Sequence, residues 1–394
     1  MRGYRTARAF DGERFLPGGA LVLVEGRAIV AVEQATAAAP DGCAVTELAG
    51  GTLLPGLIDS HVHLCADSGP RALEQVPELS AAALDAVITA AAQQHLRAGV
   101  TAVRDLGDHR WAVLERARSN DGGPTVVAAG PPITSSGGHC WSMGGEAAGV
   151  RELRRAVRER AERGAGVVKV MASGGLMTPG TDLTACQFGL DEVRAVVDEA
   201  HRHGLPVTAH AHALTAVEQC LAAGVDGIEH CSCLTASGVR TPPEVAAGLA
   251  AAGVVVCPTL GRAPGIDPPP HVQARMDATG GTFEAQLENV TRLREAGVTL
   301  LAGTDAGISP SKRHGVVPMA VADLAGCGVP VAEALAAATA VAARACGLQD
   351  RTGRLRAGLD ADLLVVDGDP AVDVSCLRRP LLVVSRGQEV PLAD

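Results

Sequence analysis

The sequence predicts a parallel (β/α)8 barrel, and three observations carry that prediction. Eight short apolar runs ending in polar residues alternate with helical stretches through the middle of the chain, the pattern of repeated βα units. Both ends of the chain are β-rich instead. Residues with metal-binding chemistry fall at the ends of the apolar runs, where a barrel gathers its functional side chains.

In chain order, LVLVEGRAIVAV (21–32) reads as two strands around a glycine turn. The eight barrel runs are LLPGLID ahead of His61, VTAVRD (100–105), TVVAAG (125–130), GVVKV (166–170), PVTAH (206–210), DGIEH (226–230), VVVCP (254–258) and VTLLAGTD (298–305). Helices are expected between them, as over Leu190 to His203, with Asp191 as the cap, and over Ala213 to Ala223. ADLLVVD (361–367) and LLVVS (381–385) return to strand. Two weakly patterned segments, 131–146 after the third run and 260–270 after the seventh, are placed to line a substrate site.

With 394 residues, 47% hydrophobic and 20% charged, the chain has the composition of a compact domain with a large core, which excludes disorder. The net charge of −10 is unbroken by any dense Lys/Arg run, so neither nucleic acid nor an anionic membrane is an expected partner. A small-molecule or peptide substrate is expected, and homo-oligomer formation is left open. The start, MRGYRTARAFDGERF, carries no apolar stretch of signal length and no later run would span a membrane, so a cytoplasmic location is expected. Eleven scattered cysteines without a CxxC pair argue against a disulfide framework or a Cys-rich zinc module. Only Cys231 and Cys233 lie beside a candidate ligand, and strand periodicity reads them as barrel filler rather than thiolate ligands.

Asp59-Ser60-His61-Val62-His63 follows the first run, and alternate residues of a strand share a face, so both imidazoles can reach one cation. His210 ends the fifth run, His230 the sixth and Asp305 the eighth. Any one of these histidines alone would read as an ordinary hydrogen-bonded residue. Four imidazoles and a carboxylate at the mouths of four strands point to a metal site. Lys169 stands inside the apolar run GVVKV, where a bare ammonium is costly. Alone it would read as snorkelling or salt-bridged. Among the histidines it reads as a lysine carbamate, an anion able to bridge two cations.

The stretches LLPGLIDSHVH (53–63), VKVMASGG (168–175), VTAHAHA (207–213), GVDGIEH (224–230), GTDAG (303–307) and GLDADLLVVDGDP (358–370) resemble, in order, the binuclear metal-dependent amidohydrolases of the prolidase-like and imidazolonepropionase-like branch. That resemblance implies two divalent cations, zinc by expectation. His61 and His63 would hold the more buried one, His210 and His230 the more exposed one, and Lys169, carbamylated by carbon dioxide, would bridge them. Asp305 would complete the buried site and act as the catalytic proton carrier, while a hydroxide shared by the metals attacks an amide carbon. A small β-sandwich from both termini, residues 1–54 and 353–394, would flank a barrel of 55–352.

The resemblance also assigns His139, in Gly137-Gly138-His139, and His314 to substrate contact. His212 stands where relatives carry a substrate-holding tyrosine, so it is assigned there too. Arg104 reads either as a cation for an anionic substrate or as half of a structural ion pair, and Trp141 as an apolar pocket wall. His95, His109, His201, His203 and His271 read as structural. The activity expected is hydrolysis of a dipeptide or N-acyl amino acid amide bond. Other readings are a cyclic-amide hydrolase, an enzyme tailoring a peptide natural product, a mononuclear deaminase and an inactive scaffold. Lys169 argues against the deaminase, and the full set of six ligands against the scaffold.

Overall fold

The computed structural model describes residues 1–118 and 122–392. Residues 393–394, at the end of the expected C-terminal segment, lie outside the described residues.

The barrel is built from two parallel arcs. Leu57–Val62 pairs with Val100–Asp105, which pairs with Thr125–Ala128. Val168–Met171, Val207–Ala213, Gly227–Thr235 and Val255–Cys257 form the second arc. One seam closes through a bridge between Ile133 and Val170 and the Gly166 N–H on the Ala128 carbonyl. The other closes through residues 299–306. Val256 N donates to Thr299 O at 2.9 Å, Ser60 N to Ala302 O at 3.0 Å and His63 N to Ala306 O at 2.8 Å.

Three expectations are corrected. The eighth run, 298–305, forms no regular strand: its backbone bonds alternate between two neighbours, and Asp305 is left-handed, at φ 61°. LLPGLID splits, because Gly51–Pro55 belongs to a terminal sheet while Leu57–Val62 enters the barrel. Asp191 does not cap its helix, Leu190–Arg202; instead Glu192 folds back and accepts the Gly189 N–H at 2.8 Å, the long-armed half of a capping box.

The chain ends supply two sheets. One has the order Ala28–Glu33, Ala20–Glu25, Arg2–Thr6, Ala44–Glu47. The other interleaves the termini, with Leu363–Asp367 paired antiparallel to Gly51–Pro55 and, on its other side, to Pro380–Ser385. The all-apolar stretch LLVV (363–366) is buried on both faces. Leu363 and Val365 join Tyr4, Val22, Ile29 and Leu53 in a cluster of the terminal strands. Leu364 and Val366 join the barrel core. Strand periodicity thus turns four consecutive apolar residues into the join between terminal strands and barrel, each fully buried side chain contributing roughly 1.5–3 kcal/mol.

Gly99 lies at that join with φ +83°, and a Cβ there would fall 2.8 Å from both Leu364 methyls. Gly99→Ala therefore combines left-handed strain with overpacking. A loss of about 2–4 kcal/mol of stability is expected from the two effects, read as a lower urea midpoint with unchanged m; an unaltered midpoint would show that Leu364 is not held against this turn.

Candidate metal centre

His61 lies within the first barrel strand and His63 one residue past its end, and their Nε2 atoms reach Asp305 Oδ1 at 3.3 and 3.0 Å. These three groups converge closely enough to hold one ion. A second convergent set is His210, His212 and His230. The sets adjoin, since the His61 and His230 ring centroids are 5.4 Å apart. Lys169, 1% exposed, ends here, and among the described residues its Nζ has no hydrogen-bond partner. All six sequence-predicted ligands are thus brought to one end of the barrel.

Each imidazole is oriented by an oxygen on its far nitrogen. His61 Nδ1 meets Glu229 Oε2 at 2.8 Å, His63 Nδ1 the Gly107 carbonyl at 3.0 Å, and His230 Nδ1 the Thr259 hydroxyl at 2.8 Å. His210 uses Nε2 instead, on the Gly174 carbonyl at 3.0 Å. Such contacts fix which nitrogen carries the proton and which offers a lone pair. Backbone strain concentrates in the same place: His230, Cys231, Cys233, Thr259 and Asp305 all have φ between 49° and 66°. Left-handed non-glycine residues cost about 1–3 kcal/mol each and persist where the surroundings hold them.

Burial sets the protonation states. It pulls His61 down to about 4 and His210 and His230 well below the usual histidine range, leaving neutral rings, the form that binds metal. It pulls Lys169 below the usual lysine range as well. His63 goes the other way: burial would lower it, but its bond to Asp305 and that group's charge together raise it above the usual histidine range, and Asp305 in turn is held below the usual carboxylate range against its own burial. Glu229 likewise resists burial, because Arg104 and His61 keep it ionised.

Of the expected substrate contacts, His139 and His212 line the cavity over the centre. Thr178 Oγ1 meets His139 Nδ1 at 2.8 Å, and the ring lies so close over Gly175 that any Cβ there would strike it. His212 stacks on His230, centroids 4.6 Å apart, and bonds the Ser232 hydroxyl. Three others stand elsewhere. Arg104 is sealed in an ion pair with Glu229 at 2.9 Å and also donates to the Ser60 carbonyl, so it faces the ligands from behind. His314 has both nitrogens engaged, on the Ala66 carbonyl at 2.8 Å and on His95 at 3.1 Å. Trp141 sits on a turn, 49% exposed, and does not line the cavity. The apolar wall is made by Met177, Leu234, Val272 and Met276 among others. Cys231 and Cys233 are buried in the barrel core, as read from periodicity.

Sequence reading missed Glu229, Asp59 and Lys312. Asp59 takes the Thr304 hydroxyl at 2.6 Å and its N–H at 3.0 Å, tying the first strand to the closing segment; burial pushes it up to about 7. Lys312 Nζ donates to the carbonyls of Thr259, Leu260 and Gly261. Glu229 carried the same signal as Lys169, a charge inside an apolar run.

Residues 52–390 match the amidohydrolase family. The chain belongs to the amidohydrolase family. Ochratoxinase of Aspergillus niger is 29% identical over 375 residues, which cover 84% of this chain and 73% of the relative. An uncharacterised protein of Mycobacterium tuberculosis is 31% identical over 366 residues, 89% of this chain and 88% of its own. Among solved structures, a Xaa-Pro dipeptidase with methionine bound in its active site superposes with a TM-score of 0.85 at 25% identity, covering 98% of this chain and 99% of that one. These likenesses bear out the resemblance to prolidase-like and imidazolonepropionase-like enzymes read from the motifs. They support reading this amidohydrolase as a hydrolase of carbon–nitrogen bonds.

Arg104→Met in this amidohydrolase would leave Glu229 charged and buried without its cation. A loss of about 3–5 kcal/mol is expected, together with metal retention at least about tenfold weaker, measured by urea unfolding and by metal content after dialysis. A loss below about 1 kcal/mol would show that the pair does not hold the centre together.

Proposed function

We propose that this amidohydrolase is a binuclear metal-dependent hydrolase that cleaves the amide bond of dipeptides or N-acyl amino acids. The observation that carries the reading is Lys169 Nζ, buried without a hydrogen-bond partner among the described residues and close enough to act on His61, His210, His230 and Asp305. An orphaned amine at that depth is costly, and the donor set fits divalent cations: four imidazoles, one carboxylate and an amine open to carbamylation. His61, His63 and Asp305 would hold one ion, His210 and His230 the other, and the Lys169 carbamate both. An N/O set of this kind suits zinc, and also manganese or cobalt. Bound divalent cations lower the pKa of water toward neutrality and polarise a carbonyl oxygen.

The protein's own groups supply the rest. Asp305, held ionised by its imidazole neighbours, takes the proton from the attacking water and delivers it to the departing amine. His139 and His212, whose rings lie 4.5 and 4.6 Å from the His210 ring in the cavity wall, contact the substrate around the reacting carbonyl. Met177, Leu234, Val272 and Met276 exclude bulk water. The interleaved terminal strands are read as a β-sandwich of residues 1–54 and 353–394 beside a barrel of 55–352, in a protein of the cytoplasm; no helix among the described residues is long and apolar enough to cross a membrane.

The test is a screen of zinc-loaded protein, prepared with bicarbonate, against dipeptides and N-acyl amino acids, scored by the amine released. Silence across both classes from protein holding two ions per chain would overturn the substrate assignment. Asp305→Asn is expected to lower kcat about 10²–10⁴-fold, the usual range for a lost acid/base group, while keeping most of the metal; unchanged kcat removes Asp305 from the proton path. Lys169→Ala is expected to lose metal and to regain part of both metal content and turnover in short carboxylic acids, and undiminished metal content would sink the carbamate.

A further inference from the structure

Two cations line the cavity, Arg262 and Lys312. Lys312 has no donor to spare, since an ammonium has three N–H groups and three backbone carbonyls accept from it. Those same bonds fix residues 259–261, directly ahead of Arg262. Thr259 begins that segment, and its hydroxyl holds the His230 ring at 2.8 Å. Three residues reach at most about 10 Å, so the segment that positions a candidate ligand also places the Arg262 backbone close to the reacting centre.

The Arg262 guanidinium carbon lies 4.2 Å from the Phe283 ring centroid. This stacking uses the flat face of the group and leaves its N–H edge open. Among the described residues no hydrogen bond or ion pair is found from that edge to the protein. The acids around it do not take it: Asp323 accepts the Gly261 N–H at 2.9 Å, while Asp267 and Glu284 act on Arg262 only at longer range. Burial lowers the guanidinium from its ordinary value more than these three acids raise it, though it stays charged at any working pH.

We propose that Arg262, stacked on Phe283, binds the carboxylate of the substrate and makes this amidohydrolase selective for amides bearing a free carboxylate beside an apolar side chain. The inference rests on the amide-hydrolase reading and names its substrate class. A single guanidinium with an open edge matches a carboxylate bidentately, and Lys312, its three N–H groups already taken by backbone carbonyls, adds no further donor beside it. The apolar wall of Met177, Leu234, Val272 and Met276 suits the side chain of the same molecule.

The experiment is calorimetry on zinc-loaded Asp305→Asn protein, where turnover does not confuse binding. The probes are N-acetyl-L-leucine and its carboxamide twin, with Arg262 present, replaced by Met, or replaced by Lys. The acid is expected to bind about ten- to a hundredfold tighter than the carboxamide. Arg262→Met should erase that preference and Arg262→Lys keep part of it. Equal binding of the twins, binding of neither, or a preference that survives Arg262→Met, which would put the carboxylate on the metal centre, overturns the proposal. An Arg262-dependent preference in a protein that hydrolyses no amide would uphold this site and overturn the reaction instead.

Discussion

The barrel mouth depends on a carboxylate that never meets solvent. Glu229 is 1% exposed, and its two oxygens meet Arg104, His61 and the Thr208 hydroxyl. Ionised, it is the counter-charge that makes a buried arginine tolerable and the acceptor that fixes the His61 tautomer. Arg104 in turn donates to the Ser60 carbonyl, next to His61 in the chain. Side chains from the first, second, fifth and sixth barrel strands are therefore bound into one polar knot, which fixes the ring of the candidate ligand His61. A buried ion pair of this kind adds little net stability over a well-packed apolar core; its return is geometric, because each partner has one low-energy place to be.

That knot explains why the site was legible in parts. His61, His63, His210, His230 and Asp305 stood out as candidate ligands because metal chemistry favours particular residue types at strand ends, and Lys169 because a charge breaks an apolar strand; the structure brings all six together. Glu229 breaks one in the same way, but His230 beside it drew the functional reading. Arg104 was seen with both roles open, and only the position of Glu229 decides for the ion pair. His314 and Trp141 lay beyond reach because their directions depend on loops: His314 is turned away by His95, and Trp141 is carried outward by a turn whose Cys140 sits at φ 58°. Arg262 left no mark in the sequence, since one arginine in a Gly/Pro-rich stretch is ordinary until its stacking partner and empty edge are known.

The fold was legible for related reasons. Seven of the eight barrel runs alternate or cluster apolar residues strongly enough to be read directly, and they form strands close to where periodicity puts them. The eighth fails as a strand while succeeding as a wall, because periodicity reports which residues are buried and not how regularly their backbones pair. The strain that breaks its ladder, at Asp305, is also what turns a carboxylate toward two histidines.

The interleaved terminal strands bear on how the chain is made. The Thr52 hydroxyl donates to the Gly368 carbonyl 316 residues away, and Gly51–Pro55 has no antiparallel partner until Leu363–Asp367 exists. At a synthesis rate of about 5–20 residues per second, that strand waits roughly 15–60 s on the ribosome with an apolar edge open. Nascent chains of this protein are thus exposed to mispairing until Leu363–Asp367 has been made, and that strand acts as the fastener that ends the exposure.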